Sequence, residues 1–274
     1  MASDFDVPHP KATGMTAGGT AYARFGSGRP VVLIHGVGMN QAVWNPQIKP
    51  LTVHNEVIVY DMLGHGGSPL PPESTTLAAY SDQLRDLLDA LDLESAVVVG
   101  HSMGALVAMD FAVRHADRCR ALVAMNAVFC RSAQEREAVL QRAAAVRDVG
   151  SDANVAETLK RWFGTPVPAS QEAAAALSRQ MLGRVHPVGY ARTYGVFATA
   201  DATHAQSLHQ LRMPALFLTG ELDPNSTPAM SRSMADRVPG AQVVVLDQAR
   251  HMMSLTDPDR VNNVLSGFLE GLAA

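Results

Sequence analysis

The stretch VVVGHSMGALVAM, residues 97–109, decides the fold. A run of valines ends at Gly100, then His101, Ser102, Met103 and Gly104 follow, and a run of small apolar residues begins. The valines predict a buried strand, and residues 103–115 predict a helix that starts at once. One serine therefore stands between glycines where strand turns into helix. Glycine on either side lets neighbouring backbone approach closely. The helix N-terminus behind the serine offers free N–H groups and partial positive charge to an anion forming there.

Similar apolar runs flank this one. RPVVLIHG (29–36), EVIVYD (56–61), SAVVVG (95–100), CRALVAMN (119–126), MPALFLTG (213–220) and AQVVVLD (241–247) are short and rich in β-branched residues. Continuous apolar character predicts strands covered on both faces, as in a parallel sheet. TAYARFG (20–26) alternates instead and predicts an earlier, antiparallel strand. Between the runs lie helical patterns. Leu77, Tyr80, Leu84, Leu87, Leu88 and Leu91 share one face, and residues 228–238 and 258–272 predict two further helices. Strand–helix alternation predicts an α/β fold with helices on both faces of a mostly parallel central sheet.

Residues 131–205 break that rhythm. SAQEREAVLQRAAAVRDVG, NVAETLKRWFG, SQEAAAALSRQMLG and PVGYARTYGVFATA read as four consecutive helices. Gly150, Gly164 and Gly183 are expected helix stops, Ser170 an N-cap and Pro187 a first-turn residue. The expected division is a core of residues 1–130 and 206–274, with residues 131–205 inserted between core strands as a helical cap.

Composition narrows the function. The chain has 274 residues, 47% hydrophobic and 18% charged, with net charge −4. That is a sizeable core without the basic footprint of a nucleic-acid binder. No stretch is long and apolar enough to span a bilayer. The N-terminal MASDFDVPHPKATGM lacks the basic and apolar regions of a secretory signal, so a cytoplasmic setting is expected. Cys119 and Cys130 fit reduced, buried thiols without metal-ligand spacing.

Gly100-His101-Ser102-Met103-Gly104 fits G-x-S-x-G after a strand and before a helix, the context of a nucleophile elbow. The plain alternative is a strand–helix turn rich in small residues. A serine hydroxyl needs a base. In an elbow fold the base follows the last strand, where AQVVVLDQARHMM places His251. His35 and His101 flank the expected oxyanion loops and shape them, and His65 lies in a glycine-rich turn. The acid that orients the imidazole belongs at the end of the preceding core strand, where Asp223 precedes Pro224. Glu221 and Asp247 are its rivals. The end of the strand after the elbow, another possible acid position, carries Asn126. An oxyanion needs two backbone donors, expected from Met103, the residue after the serine, and from Val37 in LIHGVGMN.

With HGVG, YDMLGHGGS, GHSMG, GELDPNSTP and RHMMSLTDPDRVNNVLSGFL in matching places, the chain resembles the α/β-hydrolase fold superfamily over about residues 20–272. FCRSAQEREAVL, TLKRWFG and YARTYGVFATAD make it most similar to 3-oxoadipate enol-lactonases and, less closely, to meta-cleavage-product hydrolases. Arg250 stands where glycine often precedes the histidine. The resemblance implies hydrolysis of a small carbonyl substrate, an ester, lactone or enol-lactone, with no cofactor and no metal. C–C hydrolysis of a vinylogous diketone and a non-catalytic ligand receptor on the same fold are the alternatives. The expected pocket draws on Trp44, Trp162 and Met252, with Met39 and Met103 as further apolar wall. Arg161, Arg179, Arg184 and Arg192 read as surface charges, with the alternative that one of them turns inward and holds a substrate carboxylate as a bidentate pair. The expected partner is a small molecule alone, and nothing in the sequence fixes the oligomeric state.

Overall fold

The computed structural model describes residues 6–149 and 155–272. In chain order its longer elements begin with β1 (Ala12–Met15), β2 (Ala21–Gly26), β3 (Arg29–Ile34), α1 (Asn45–Leu51), β4 (Asn55–Tyr60), α2 (Leu77–Ala90), β5 (Ala96–His101), α3 (Met103–Arg114) and β6 (Cys119–Met125). Then come α4 (Ala133–Val149), α5 (Val155–Phe163), α6 (Glu172–Leu182) and α7 (Pro187–Thr199). The chain ends with β7 (Ala215–Gly220), α8 (Pro228–Ala235), β8 (Gln242–Leu246), α9 (Met253–Thr256) and α10 (Pro258–Glu270).

The strands form one eight-stranded sheet in the order β1-β2-β4-β3-β5-β6-β7-β8. β1 and β2 run antiparallel, and from β4 to β8 all pairs are parallel. β4, β5 and β7 are buried along their whole length, as unbroken apolar runs covered by helices on both faces should be. β8 has an equally apolar sequence yet is only partly buried, because it is the sheet edge. The short, mostly exposed β1 carries no apolar run that would announce it. α1 escapes the sequence reading because NPQIKPL holds two prolines. Pro46 is tolerated in its first turn and Pro50 lies at its end. No helix among the described residues is long and apolar enough to cross a membrane.

Four helices, α4 to α7, occupy the interval between β6 and β7, and α4 packs on α7 as α5 packs on α6. Both ends of this insertion meet at one carboxylate. Asp201 accepts from the Arg131 backbone N–H at 2.7 Å, pairs with the Arg131 and Arg136 guanidinium groups at 3.3 and 3.1 Å, and gives its own carbonyl to the Cys130 N–H at 3.0 Å. Gly164, at φ +87°, follows α5, and Pro187 opens α7. Gly183 sits just past α6 in right-handed backbone, and Gly150 lies outside the described residues. Ser170 does not cap α6. It lies inside a 3-10 turn, Ala169–Gln171, which starts after Pro168 and leaves Gln171 at the cap position. Both cysteines are free, but only Cys119 is buried. Cys130 is exposed because the chain turns out of the sheet there, at φ +47°.

Candidate active site

The site is built where β5 gives way to α3. Ser102 sits at φ 57° and ψ −116°, a backbone strain that the packing around it enforces. The flanking glycines show why the turn needs them. A Cβ on Gly100 would lie 2.1 Å from the Gly104 carbonyl oxygen, and one on Gly104 would lie 2.3 Å from the Ile34 carbonyl oxygen. The turn is thus pressed between its own helix and the end of β3, and only hydrogen fits at either glycine.

Ser102 Oγ is 3.1 Å from His251 Nε2, and His251 Nδ1 donates to Asp223 Oδ2 at 2.6 Å. All three residues are buried. Asp223 stands beyond the end of β7, where its Oδ1 accepts the N–H groups of Asn225 and Ser226 at 2.8 and 3.2 Å. Asn126, beyond the end of β6, donates from Nδ2 to Asp223 Oδ2 at 2.8 Å. Burial alone would raise the Asp223 pKa, but the His251 charge and these hydrogen bonds outweigh it and hold the carboxyl below its ordinary value. The rivals are elsewhere: Asp247 is exposed and pairs with Arg260, and Glu221 accepts from the Gln248 backbone N–H at 2.9 Å.

The loop after β3 faces the serine closely, for a Cβ on Gly36 would meet Ser102 Cβ at 3.2 Å. Among the described residues, the Val37 N–H meets no protein acceptor, and Met103 is the first residue of α3, where a helix leaves its N–H groups free. Two histidines brace this loop. His35 donates from Nδ1 to the Gly36 carbonyl at 2.8 Å and accepts the Met62 N–H at Nε2, 2.9 Å away. His65 donates to the Leu63 carbonyl at 3.1 Å and accepts the Gly38 N–H at 2.9 Å. His101 donates to the His251 carbonyl at 2.8 Å. Each of the three is buried, and burial pushes their pKa values down to about 4 for His35, about 3 for His65 and about 3 for His101. They are neutral struts.

Above the serine lies a cavity of about 220 Å³, roofed by the inserted helices. Its roof consists of residues at helical spacing: Glu135, Ala138 and Arg142 on α4, with Arg131 just before it; Thr158, Arg161 and Trp162 on α5; Tyr190, Tyr194 and Phe197 on α7. Trp162 stacks on His251, ring centroids 5.8 Å apart and planes 24° from parallel. Arg250 fits before His251 because Gly164 makes room, a Cβ there lying 3.2 Å from the Arg250 guanidinium carbon.

Of the expected pocket residues, Trp162 and Arg161 line this cavity and the others do not. Trp44 is wholly buried, edge-on to the His101 ring. Met252, directly after His251, is wholly buried. Arg192 lines a separate groove on the far side of α7, where it donates to the Pro71 carbonyl at 2.7 Å. Arg179 also lies outside, on α6. Sequence reasoning missed Arg131, Arg142, the two tyrosines and Asn126. The spacing 131, 135, 138, 142 was itself a helical face, and it held the signal for two of them.

A mostly parallel sheet, a serine elbow at its centre and a histidine beyond its last strand define an α/β-hydrolase. The family model described as the alpha/beta hydrolase fold matches residues 29–258, and the chain belongs to that family. It is 36% identical over 249 residues to the (E)-2-((N-methylformamido)methylene)succinate hydrolase of Acinetobacter baylyi, covering 91% of this chain and 93% of that one. It is 29% identical over 242 residues to 3-oxoadipate enol-lactonase 1 of the same organism, covering 88% and 89%. The enol-lactonase structure from Burkholderia xenovorans superposes with a TM-score of 0.87 at 28% identity, covering 94% of this chain and all of that one. The protein is a hydrolase.

Proposed function

We propose that the chain is a serine hydrolase of small esters, lactones or enol-lactones, working in the cytoplasm without a cofactor. The single observation that carries this reading is the line from Asp223 through His251 to Ser102 Oγ at the N-terminus of α3. Ser102 Oγ attacks the substrate carbonyl carbon while its proton passes to His251 Nε2. Asp223 fixes the tautomer and faces the imidazolium that results. The carbonyl oxygen becomes an oxyanion held by the Val37 and Met103 N–H groups, with the α3 N-terminus behind it. His251 returns the proton to the leaving oxygen, and water then releases the acyl group by the same route in reverse. The inserted helices act as a cap that shuts this chemistry off from bulk water and selects the acyl or alcohol portion.

The similarity to an enol-lactonase supports the lactone reading. The similarity to the methylformamido-methylene-succinate hydrolase favours a second one, since an N-formyl amide is another acyl group open to the same serine. A panel of lactones, aryl esters, N-formyl enamides and ring-cleavage diketones separates these from C–C hydrolysis. Ser102→Ala should fold and lose at least about a thousandfold in turnover. A fluorophosphonate probe should label the native chain at Ser102 and spare the variant. Activity retained by Ser102→Ala on every substrate ends the serine mechanism, and binding without turnover of any substrate points to a receptor.

A further inference from the structure

Val37 lies in a turn that the inserted helices touch directly. The Met39 N–H closes this turn on the Gly36 carbonyl at 3.1 Å, and Gly38 within it is left-handed at φ +80°. Two separate contacts fix Gly38. His65 Nε2 accepts its N–H at 2.9 Å. A Cβ on Gly38 would lie 2.6 Å from Leu182 Cδ2, at the end of α6, and 2.9 Å from Tyr190 Cε2, on α7. The Tyr190 ring and the Leu182 methyl therefore rest on bare backbone, one residue from the Val37 N–H.

The two contacts share a root. His65 follows Gly64 and Tyr190 follows Gly189, and these glycines meet backbone to backbone. A Cβ on Gly64 would lie 2.7 Å from Gly189 Cα, and one on Gly189 would lie 2.3 Å from the Gly64 carbonyl oxygen. Beside this crossing α7 is fastened to the core. Arg192 donates to the Pro71 carbonyl at 2.7 Å, and the Thr193 hydroxyl is 2.8 Å from that of Tyr80 on α2. A roof that only shaped the pocket would not need its backbone pressed against the loop that holds Gly38.

We propose that Gly189 and Tyr190 are positioning residues for the oxyanion donor: α7, docked on Gly64 and Gly38, sets where the Val37 N–H points. This rests on the serine-hydrolase reading and gives α7 a duty beyond lining the pocket. A donor acts on a developing charge only if it is already aimed there, and a misplacement of about 1 Å can cost about a hundredfold in rate. Turnover of any acyl substrate, however small, then depends on the seating of α7, while binding of a small substrate does not.

Two small probes test this. p-Nitrophenyl acetate delivers only an acetyl group. Trifluoroacetone takes Ser102 Oγ at its carbonyl carbon while the serine proton passes to His251, and its own oxygen becomes the oxyanion, so its affinity reports the donors. Tyr190→Ala should lower kcat on the ester and weaken the ketone, each by about tenfold, with KM within about twofold. Tyr190→Phe, which keeps the ring on Gly38, should restore both. Gly189→Ala should repeat the Tyr190→Ala pattern, and if it fails to fold the Tyr190 pair decides alone. Val188→Ala, at an exposed position of α7, should change nothing. Native kcat and ketone affinity in folded Tyr190→Ala would overturn the positioning role. So would a rise in KM alone, which makes Tyr190 pocket wall, or an equal loss in Tyr190→Phe, which puts its hydroxyl on the substrate. A native chain that a fluorophosphonate does not label at Ser102 ends the serine reading and this inference with it. A labelled native chain with insensitive Tyr190 variants sinks the inference alone.

Discussion

Asn126 and Asp223 are joined by a hydrogen bond of 2.8 Å from amide nitrogen to Oδ2, the same carboxylate oxygen that accepts from His251. The amide therefore shares the load of holding the acid, and it reaches there from a neighbouring strand end. Asn126 itself is held in left-handed backbone at φ +49°, with its carbonyl accepting the Ser226 hydroxyl at 2.6 Å.

Asn126→Ala should lower kcat about tenfold with little change in KM, since a hydrogen bond to a charged group contributes about 1.5–3 kcal/mol. As a positioning residue it should also shift the pH profile, because Asp223 loses a donor that favours its ionised form. Asn126→Asp should be worse, as it sets a second anion against Asp223. An unchanged kcat and pH profile in Asn126→Ala would reduce the amide to packing.

Among the carboxylates, Asp223→Asn should cost about ten thousandfold in kcat, the scale seen when a triad acid becomes an amide. Asp247→Asn removes an exposed ion pair with Arg260, and Glu221→Gln alters an exposed loop contact, so both should stay within about twofold. Steady-state rates of the three variants on one aryl ester check the order.

Acid should weaken the fold before it reaches the carboxylates. His35, His65 and His101 stay neutral in the folded chain down to about 4, 3 and 3, whereas in the unfolded chain they bind protons below about 6.5. The unfolded state therefore holds more protons between those values, and stability falls as pH drops from about 6.5 toward 4. Each histidine contributes up to about 1.4 kcal/mol per pH unit in that window. The Asp223 pKa lies below its ordinary value, so its contribution is lost only at lower pH. Urea unfolding at pH 7.5, 6 and 5 should show the decline, with a shallower slope in His65→Gln. A flat profile across that range would contradict the assignment of these rings as neutral struts.

Two glycines should respond oppositely to one added methyl group. Gly104→Ala places Cβ 2.3 Å from one backbone carbonyl oxygen and 2.5 Å from the next, so it should cost at least about 3 kcal/mol, or leave the chain insoluble. Gly267, within α10, has nothing within 4 Å of its added Cβ, so Gly267→Ala should stabilise by about 0.5–1 kcal/mol. Melting temperatures of the two variants decide this.

The sheet was legible because each buried strand writes a continuous apolar run, and the glycine-flanked serine was legible because steric necessity selects its neighbours. Asp223 and His251 could be placed because both lie just beyond strand ends. Side chains on the inserted helices were harder. Which way Arg192 or Arg142 faces depends on how α7 and α4 dock, and α4 has too weak an apolar face to fix its rotation in advance. Trp44 and Met252 read as wall material because they are large and close to the site in sequence. The packing of His101 and the histidine loop instead claims them for the interior. Asn126 was weighed as a missing acid, and its amide nitrogen, which makes it a donor to the acid, carries no sequence signature.

The clasp at Asp201 has a consequence for how such a molecule can change over generations. Since the chain departs from the sheet and rejoins it at one shared carboxylate, the path between those two points is free to lengthen, shorten or be rewritten at small entropic cost. On the proposed cap reading, mutations there would alter what is admitted while leaving the sequence of the strand ends that carry Ser102, Asp223 and His251 unchanged. Substrate choice and chemistry would then be inherited on separate stretches of a single chain.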